Sequence, residues 1–214
     1  MISYFFLILI FGLSALIGIG FHRGKKKNNA IYLSAFSQLV DIFKPHDQTF
    51  IDIGGLVGHH ASFTIEQRGG IYKIDATITL LPRHAPLYMP ISRRLMRSDR
   101  LFVTFYTRAS PPGEGHLIEA SYDGFRGHEI THASWLTREK IAWGAHEYYL
   151  YYDRITMAKP LKRLIDEHPD PGAVKHIALL PGQKKGFVFM IPSEGAVGRQ
   201  IEPVFRWMCR IFEL

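Results

Sequence analysis

Hydrophobic and polar positions follow three different periods along this chain. Residues 2–21 are an unbroken apolar run, rich in Ile, Leu and Phe and without a charge. At about 1.5 Å per residue a helix of that length is about 30 Å long, the thickness of a bilayer's hydrocarbon core. Over residues 30–44 the apolar positions Phe36, Leu39, Val40 and Phe43 recur at three- and four-residue spacing, and Pro45 follows. That pattern predicts an amphipathic helix with a firm stop. The period then falls to two. Residues 62–67 and 71–81 read as strands joined by the turn Arg68-Gly69-Gly70. In the second strand Tyr72, Ile74, Ala76, Ile78 and Leu80 share the inner face, and Lys73, Asp75, Thr77 and Thr79 the wet one.

Further along, Pro90 opens a short helix that runs to about Arg97. Residues 101–108 form a third strand, ended by Pro111-Pro112-Gly113, and residues 116–122 a fourth. Residues 124–152 carry no clear period. Residues 159–168 predict a helix with Pro160 in its first turn, Leu161, Leu164 and Ile165 inward, and Pro169 as its stop. Residues 174–180 and 186–191 pair through Pro181-Gly182. In the last segment Val197, Ile201, Val204, Phe205, Met208, Ile211 and Phe212 keep one face apolar, with Ser193 as the expected N-cap. Pro203 either kinks one long helix there or opens a second. Hairpins with helices between them predict an α+β fold, a mainly antiparallel sheet packed with helices after one N-terminal transmembrane helix. The expected organisation is an anchor over residues 1–21, a basic juxtamembrane linker over 22–29 and one domain over 30–214.

Charge fixes the expected direction. No basic side chain precedes the apolar run, which is too long for the core of a cleaved signal peptide, so it predicts a retained anchor. Arg23, Lys25, Lys26 and Lys27 follow it at once. Positive flanks stay in the cytoplasm, which predicts the N-terminus outside and the domain in the cytoplasm. These four cations also account for four of the net +7, so the domain itself is only weakly basic and its charge argues against nucleic acid as a partner. They suit anionic lipid headgroups. Ser14 and Gly18 form a small-xxx-small pair on which another membrane helix can pack. Hydrophobic residues make up 47% and charged residues 21%, enough to bury a core rather than stay disordered. The single cysteine, Cys209, excludes a disulfide within one chain and fits a reducing compartment as a buried structural thiol.

One motif carries candidate chemistry. His128-Glu129-Ile130-Thr131-His132 has the spacing that places two histidines on one helix face to hold zinc, with the glutamate activating bound water, and it resembles the zincin metallopeptidase signature. Gly124 and Gly127 stand where a zincin has helix, and no third ligand falls at a familiar spacing, so the leading expectation is no cofactor and no catalysis. His59-His60 are adjacent, point to opposite faces of a strand and make poor joint ligands. Gly54, Gly55 and Gly58 lack the Lys-Ser/Thr of a phosphate loop and predict a tight turn. Arg83, Arg93, Arg94, Arg97 and Arg100 form a candidate basic patch whose planar guanidinium groups suit the phosphates of lipid headgroups or, in a third reading, RNA. Tyr148, Tyr149, Tyr151 and Tyr152 are expected to half-bury with their hydroxyls wet.

The order of segments resembles the cytosolic part of calumin-type proteins. The resemblance runs from Gly24-Lys25-Lys26-Lys27-Asn28-Asn29 through Leu81-Pro82-Arg83, Ile91-Ser92-Arg93-Arg94-Leu95-Met96-Arg97 and the strand Leu101-Phe102-Val103-Thr104-Phe105. It closes on Phe187-Val188-Phe189-Met190-Ile191-Pro192 before the last helical segment. It implies an endoplasmic-reticulum membrane protein that helps the ribosome-bound translocon with multi-spanning clients. It implies no catalytic residue, and this chain departs from the family in having no long basic tail after the last helix, which removes one support for ribosome contact. The expectation is therefore a single-pass membrane protein whose domain binds other membrane proteins.

Overall fold

A computed structural model describes residues 2–68, 70–123, 130, 131 and 133–213. Its first element, α1 (Ile2–Phe43), unites two stretches that the sequence separates: residues 22–29, expected as a linker, are helical. Gly24 and Asn28 are buried there, while Arg23, Lys25, Lys26 and Lys27 point outward. Lys and Arg are good helix formers, and a packed face opposite them leaves the helix no reason to break. One stretch of α1 is long and apolar enough to cross a membrane, and none of its most apolar window is buried.

Nine strands follow among the described residues: β1 (Asp47–Asp52), β2 (Gly58–Arg68), β3 (Ile71–Thr79), β4 (Arg100–Thr107), β5 (Gly115–Glu119), β6 (Thr137–Trp143), β7 (His146–Tyr152), β8 (Val174–Leu180) and β9 (Lys185–Met190). They form one sheet in the order β1-β2-β3-β4-β9-β8-β5-β7-β6, every neighbour antiparallel. The first four run as a meander. The β8–β9 hairpin then enters between β4 and β5, so the sheet closes only when the C-terminal third arrives. The helices are α2 (Met89–Leu95), α3 (Ile155–Glu167) and α4 (Val197–Phe212). The fold is α+β, as its alternating hairpins and helices predict.

One face of the sheet is dry. Ala61 and Phe63 from β2, Ile74, Ala76 and Ile78 from β3, and Leu101, Val103 and Phe105 from β4 are buried under α1 and α4. Phe43, the last residue of α1, sits at the centre, with its ring 5.7 Å from Phe63, 6.0 Å from Phe105 and 5.0 Å from Phe205. The helices are also tied by polar bonds: Trp207 donates from its indole to the Pro160 carbonyl at 2.9 Å, and the Gly198 amide donates to Gln38 at 2.7 Å. A Cβ on Gly198 would lie 2.9 Å from that same Gln38 oxygen, so a larger residue there would displace the Gln38 side chain from this bond.

Several local expectations are corrected. Tyr72 is exposed, because a bulge between Ile71 and Lys73 turns Ile71 to the core in its place. Pro160 lies inside α3, which starts at Ile155 rather than Lys159. Its carbonyl still accepts the bond from Trp207. α4 is one helix with Pro203 inside it, and its N-cap is Ala196, not Ser193. Residues 124–152 contain β6 and β7, and β1 had no alternating signal because all six of its residues are exposed. Tyr148 is fully buried, and its hydroxyl donates to the Val174 carbonyl at 2.6 Å. Cys209 is half-buried against the core.

Phe43 joins α1, the sheet and α4 through one ring. Phe43→Ala is expected to destabilise the protein by about 3–5 kcal/mol in denaturant titration, the cost of a large aromatic cavity.

Candidate functional site

Three places concentrate exposed or unusual chemistry. The first is a shoulder where residues 81–97 pack against α1. Asn28 is 0% exposed. Its side-chain amide donates to the carbonyls of Leu56 and Leu81, both at 2.9 Å, and its oxygen accepts from Arg83 at 3.0 Å. Arg83 in turn grips both oxygens of Asp99 at 2.8 and 2.7 Å, and Asp99 also accepts from the Leu81 amide at 2.8 Å. One turn before Asn28, a Cβ on Gly24 would lie 2.0 Å from the Arg83 carbonyl oxygen. A turn earlier still, a Cβ on Gly20 would touch Pro86 at 3.0 Å. The ring of Phe21 meets that of His84 edge-on at 6.0 Å. The sequence signal for this clamp is Gly20, Gly24 and Asn28 at four-residue spacing, in phase with the buried Ile31, Ala35 and Leu39. A run of lysines hides it.

The clamp divides the expected basic patch. Arg83 is committed to Asp99 and Asn28, and Arg100 is half-buried at the start of β4, opposite Thr79. Arg93, Arg94 and Arg97 are exposed on and just after α2. Arg23, Lys25, Lys26 and Lys27 are exposed on the neighbouring part of α1.

The second place is a groove of about 570 Å³ between α1 and the edge of the sheet, lined by Tyr32, Leu33, Phe36 and Val40 on one side and Phe50 and Ile51 on the other. Asp41 and Asp52 also line it. Leu33, Phe50, Ile51 and Ile53 are about half exposed, an unusual concentration of apolar surface. β1 is an end strand, so one row of its backbone groups has no strand beside it. The glycines before β2 make the expected turn: Gly55 has φ +59° and the Asp52 carboxylate accepts from the amides of Gly54 and Gly55 at 3.1 and 2.6 Å. His59 and His60 do point to opposite faces. The first stacks on Tyr32 at 3.9 Å, and the second bonds Thr77 at 2.9 Å.

The third place is a cleft of about 580 Å³ on the other face of the sheet, lined among others by Thr104, Tyr106, Glu114, His116, His176 and Phe187. The β5–β8 register sets His116 opposite Ala178 and Ile118 opposite His176, which puts both imidazoles on one face. His116 Nδ1 lies 3.3 Å from His176 Nε2, and His116 Nε2 lies 3.1 Å from Glu114. A carboxylate at Nε2 holds the proton there and leaves Nδ1 to accept from His176. Burial pushes the His116 pKa down, and Glu114 opposes it without prevailing. Beside it, burial and the bond to Asp75 raise the Tyr106 hydroxyl to about 12, so it remains a donor at neutral pH. These isolated histidines, sixty residues apart, gave no sequence signal.

Of the zinc motif, His128, Glu129 and His132 lie outside the described residues. Ile130 and Thr131 are described, and both line the histidine cleft. Among the described residues no group of three or more His, Cys, Asp or Glu is placed to hold a metal ion.

Two outcomes test these sites. Asn28→Leu strands two carbonyls and part of Arg83, and is expected to cost about 1–3 kcal/mol in denaturant titration of the full chain, whereas Lys26→Ala costs nothing measurable. Burial depresses both His116 and His59, with Asp52 opposing the shift at His59. As pH falls the unfolded chain therefore binds protons first. The stability they contribute is complete above the unfolded value of about 6.5 and is lost as pH drops towards the folded values. The melting temperature is expected to fall between pH 7 and pH 5, and to fall less in His116→Gln.

No protein-family model matches this chain, and no curated protein matches its sequence, so its function has to be read from its own geometry.

Proposed function

We propose that this chain is a single-pass membrane protein, N-terminus outside, whose cytoplasmic domain binds other membrane proteins rather than catalysing a reaction. The assembly-accessory role implied by the calumin-type resemblance is its most specific form. The observation that carries this reading is the unbroken helix α1. Its apolar half is long enough to span a bilayer, its outward cations favour the cytoplasmic side, and its second half is core. A domain built on the same helix as its anchor has a fixed height and rotation over the membrane. At about 1.5 Å per residue, Tyr32 begins the apolar groove about 16 Å beyond Phe21. A partner in the same bilayer can reach that groove with a short flanking segment and can pair with the open edge of β1. The aspartates at the groove favour a basic segment. Ser14 is exposed and a Cβ on Gly18 would meet nothing within 4 Å, which leaves that side of the helix open to a second helix within the lipid.

The full-length chain is expected to resist alkaline extraction from membranes. Protease added outside intact cells is expected to spare the domain, and to cut it once the cells are opened. A photo-crosslinker at Ile51 is expected to capture integral membrane proteins, and one at Lys140, on the opposite end of the sheet, to capture none. Release by alkali, digestion from outside, or capture of soluble proteins only would each reject the proposal.

A second reading keeps one supporting observation. Ile130 and Thr131, from the middle of the zinc motif, border the cleft that holds Glu114, His116 and His176. If the chain is a zinc peptidase with His128 and His132 as ligands and Glu129 as base, the purified full chain holds stoichiometric zinc, and Glu129→Gln keeps the metal while losing hydrolysis. Zinc-free protein excludes it.

A further inference from the structure

We infer that residues 87–95, which are α2 and its approach, dock on the bilayer surface beside the point where α1 enters it, with Leu87, Tyr88, Ile91 and Leu95 at the boundary of headgroups and acyl chains. The inference rests on reading residues 2–21 as membrane-spanning, and adds a second membrane contact to it.

Position is the first argument. Pro86 packs on Gly20, and His84 packs on Phe21. Those are the last two residues of the apolar run, so this contact lies where the run ends and the headgroups begin. Leu87 follows Pro86 directly and cannot be more than about 4 Å further along the chain. The Gly24 and Asn28 contacts to residues 81–84 hold this segment in place from the side of the domain.

Surface chemistry is the second. Leu87, Tyr88, Ile91 and Leu95 are 68%, 49%, 54% and 69% exposed. They recur at three- and four-residue spacing and so share one side of the helix, while Ser92 is buried on the side facing the protein. Four large apolar side chains in nine residues is a costly surface to leave in water. It is the surface expected of a helix lying in a membrane interface, where apolar residues enter the acyl boundary and tyrosine stays at headgroup depth.

Charge is the third. Residues 83–98 contain no carboxylate, and Asp99 is held by Arg83. Arg93, Arg94 and Arg97 are therefore exposed without a nearby acid in sequence. Anionic phospholipid is the complement of an apolar stripe edged by guanidinium groups. A seven-residue helix has little stability of its own, and both the clamp and the lipid supply what it lacks.

The test places an environment-sensitive fluorophore at Ile91→Cys or Leu95→Cys, and at Lys140→Cys as control, in full-length Cys209→Ser protein reconstituted in phosphatidylcholine–phosphatidylglycerol nanodiscs. Emission from positions 91 and 95 is expected to shift to the blue, and to fall at least about twofold with lipid carrying a shallow quencher, while position 140 does neither. Adding Arg94→Glu is expected to weaken that quenching in anionic discs more than in neutral ones. If the protein resists alkaline extraction yet positions 91 and 95 behave like position 140, the docking inference fails and the anchor stands. If alkali releases the protein, both fail together. A spectral change with RNA but not with lipid would overturn the inference in favour of a nucleic-acid surface.

Discussion

The contact between Asn28 and the turn at Leu81–Arg83 is the constraint on which the rest of this structure depends. A helix of forty-two residues would ordinarily flex relative to any domain hung from its end. Here its middle is fixed to the sheet domain by a buried amide that bonds three groups from two loops, and by glycines that let backbone approach backbone. Arg83 links that amide to Asp99, which caps the turn from the other side. Removing any member leaves a buried polar group without its partner, which costs more than the bond itself contributes. The end of the apolar half of α1 is therefore tied directly to the core.

This constraint gives the two faces of the sheet different roles. The face under α1, α3 and α4 is filled with aliphatic and aromatic side chains and is closed to solvent. The other face keeps polar groups in tight local arrangements. On β3, burial pushes the Asp75 carboxyl up, but bonds from Ser62, Tyr106 and Lys73 outweigh it and hold it below its usual range. At the end of β5, on the core side opposite Tyr148, the same balance holds Glu119 down, through its bonds to the buried Lys175 and to Ser121. Tyr149 lies under the Arg138 guanidinium at 3.6 Å. Buried ion pairs of this kind add little net stability, since the desolvation they suffer offsets their attraction. They do fix geometry.

Elements whose burial follows a simple period were legible in the sequence. The β3 alternation, the α4 stripe and the Pro-opened α2 all appear within a few residues of their expected places. What escaped was set by contacts across long separations. All six residues of β1 are exposed, so no alternation of buried and exposed positions marks it, and its pairing with β2 makes it a strand. Asn28 reads as part of a charged linker until residues 56, 81 and 83 come to meet it. His116 and His176 become a pair only because β8 crosses to lie beside β5. Tyr148 is wet on propensity alone and dry because Trp143 and the Val174 carbonyl enclose it. Sequence proximity groups these arginines into one patch, but a guanidinium beside a buried carboxylate is a fastening rather than a binding surface, and this separates Arg83 from Arg93 and Arg94.

The groove and the cleft are of similar size, and their walls distinguish them. The cleft presents two imidazoles and a carboxylate that already bond one another, and a phenol already bonded to Asp75, so a ligand entering it must compete with bonds already made. The groove presents aromatic and aliphatic carbon beside a strand edge, where an arriving segment gains burial and backbone pairing together. A weak partner needs both, because ordering its own backbone costs on the order of 1–2 kcal/mol per residue. Confinement to a membrane removes part of the remaining cost, since a molecule held in the same plane and at the same height is already oriented. On the proposed topology, α1 extends that advantage to the domain side. An open edge that would be an aggregation hazard on a freely tumbling protein would then become a selective surface, approached at the right height only by membrane neighbours.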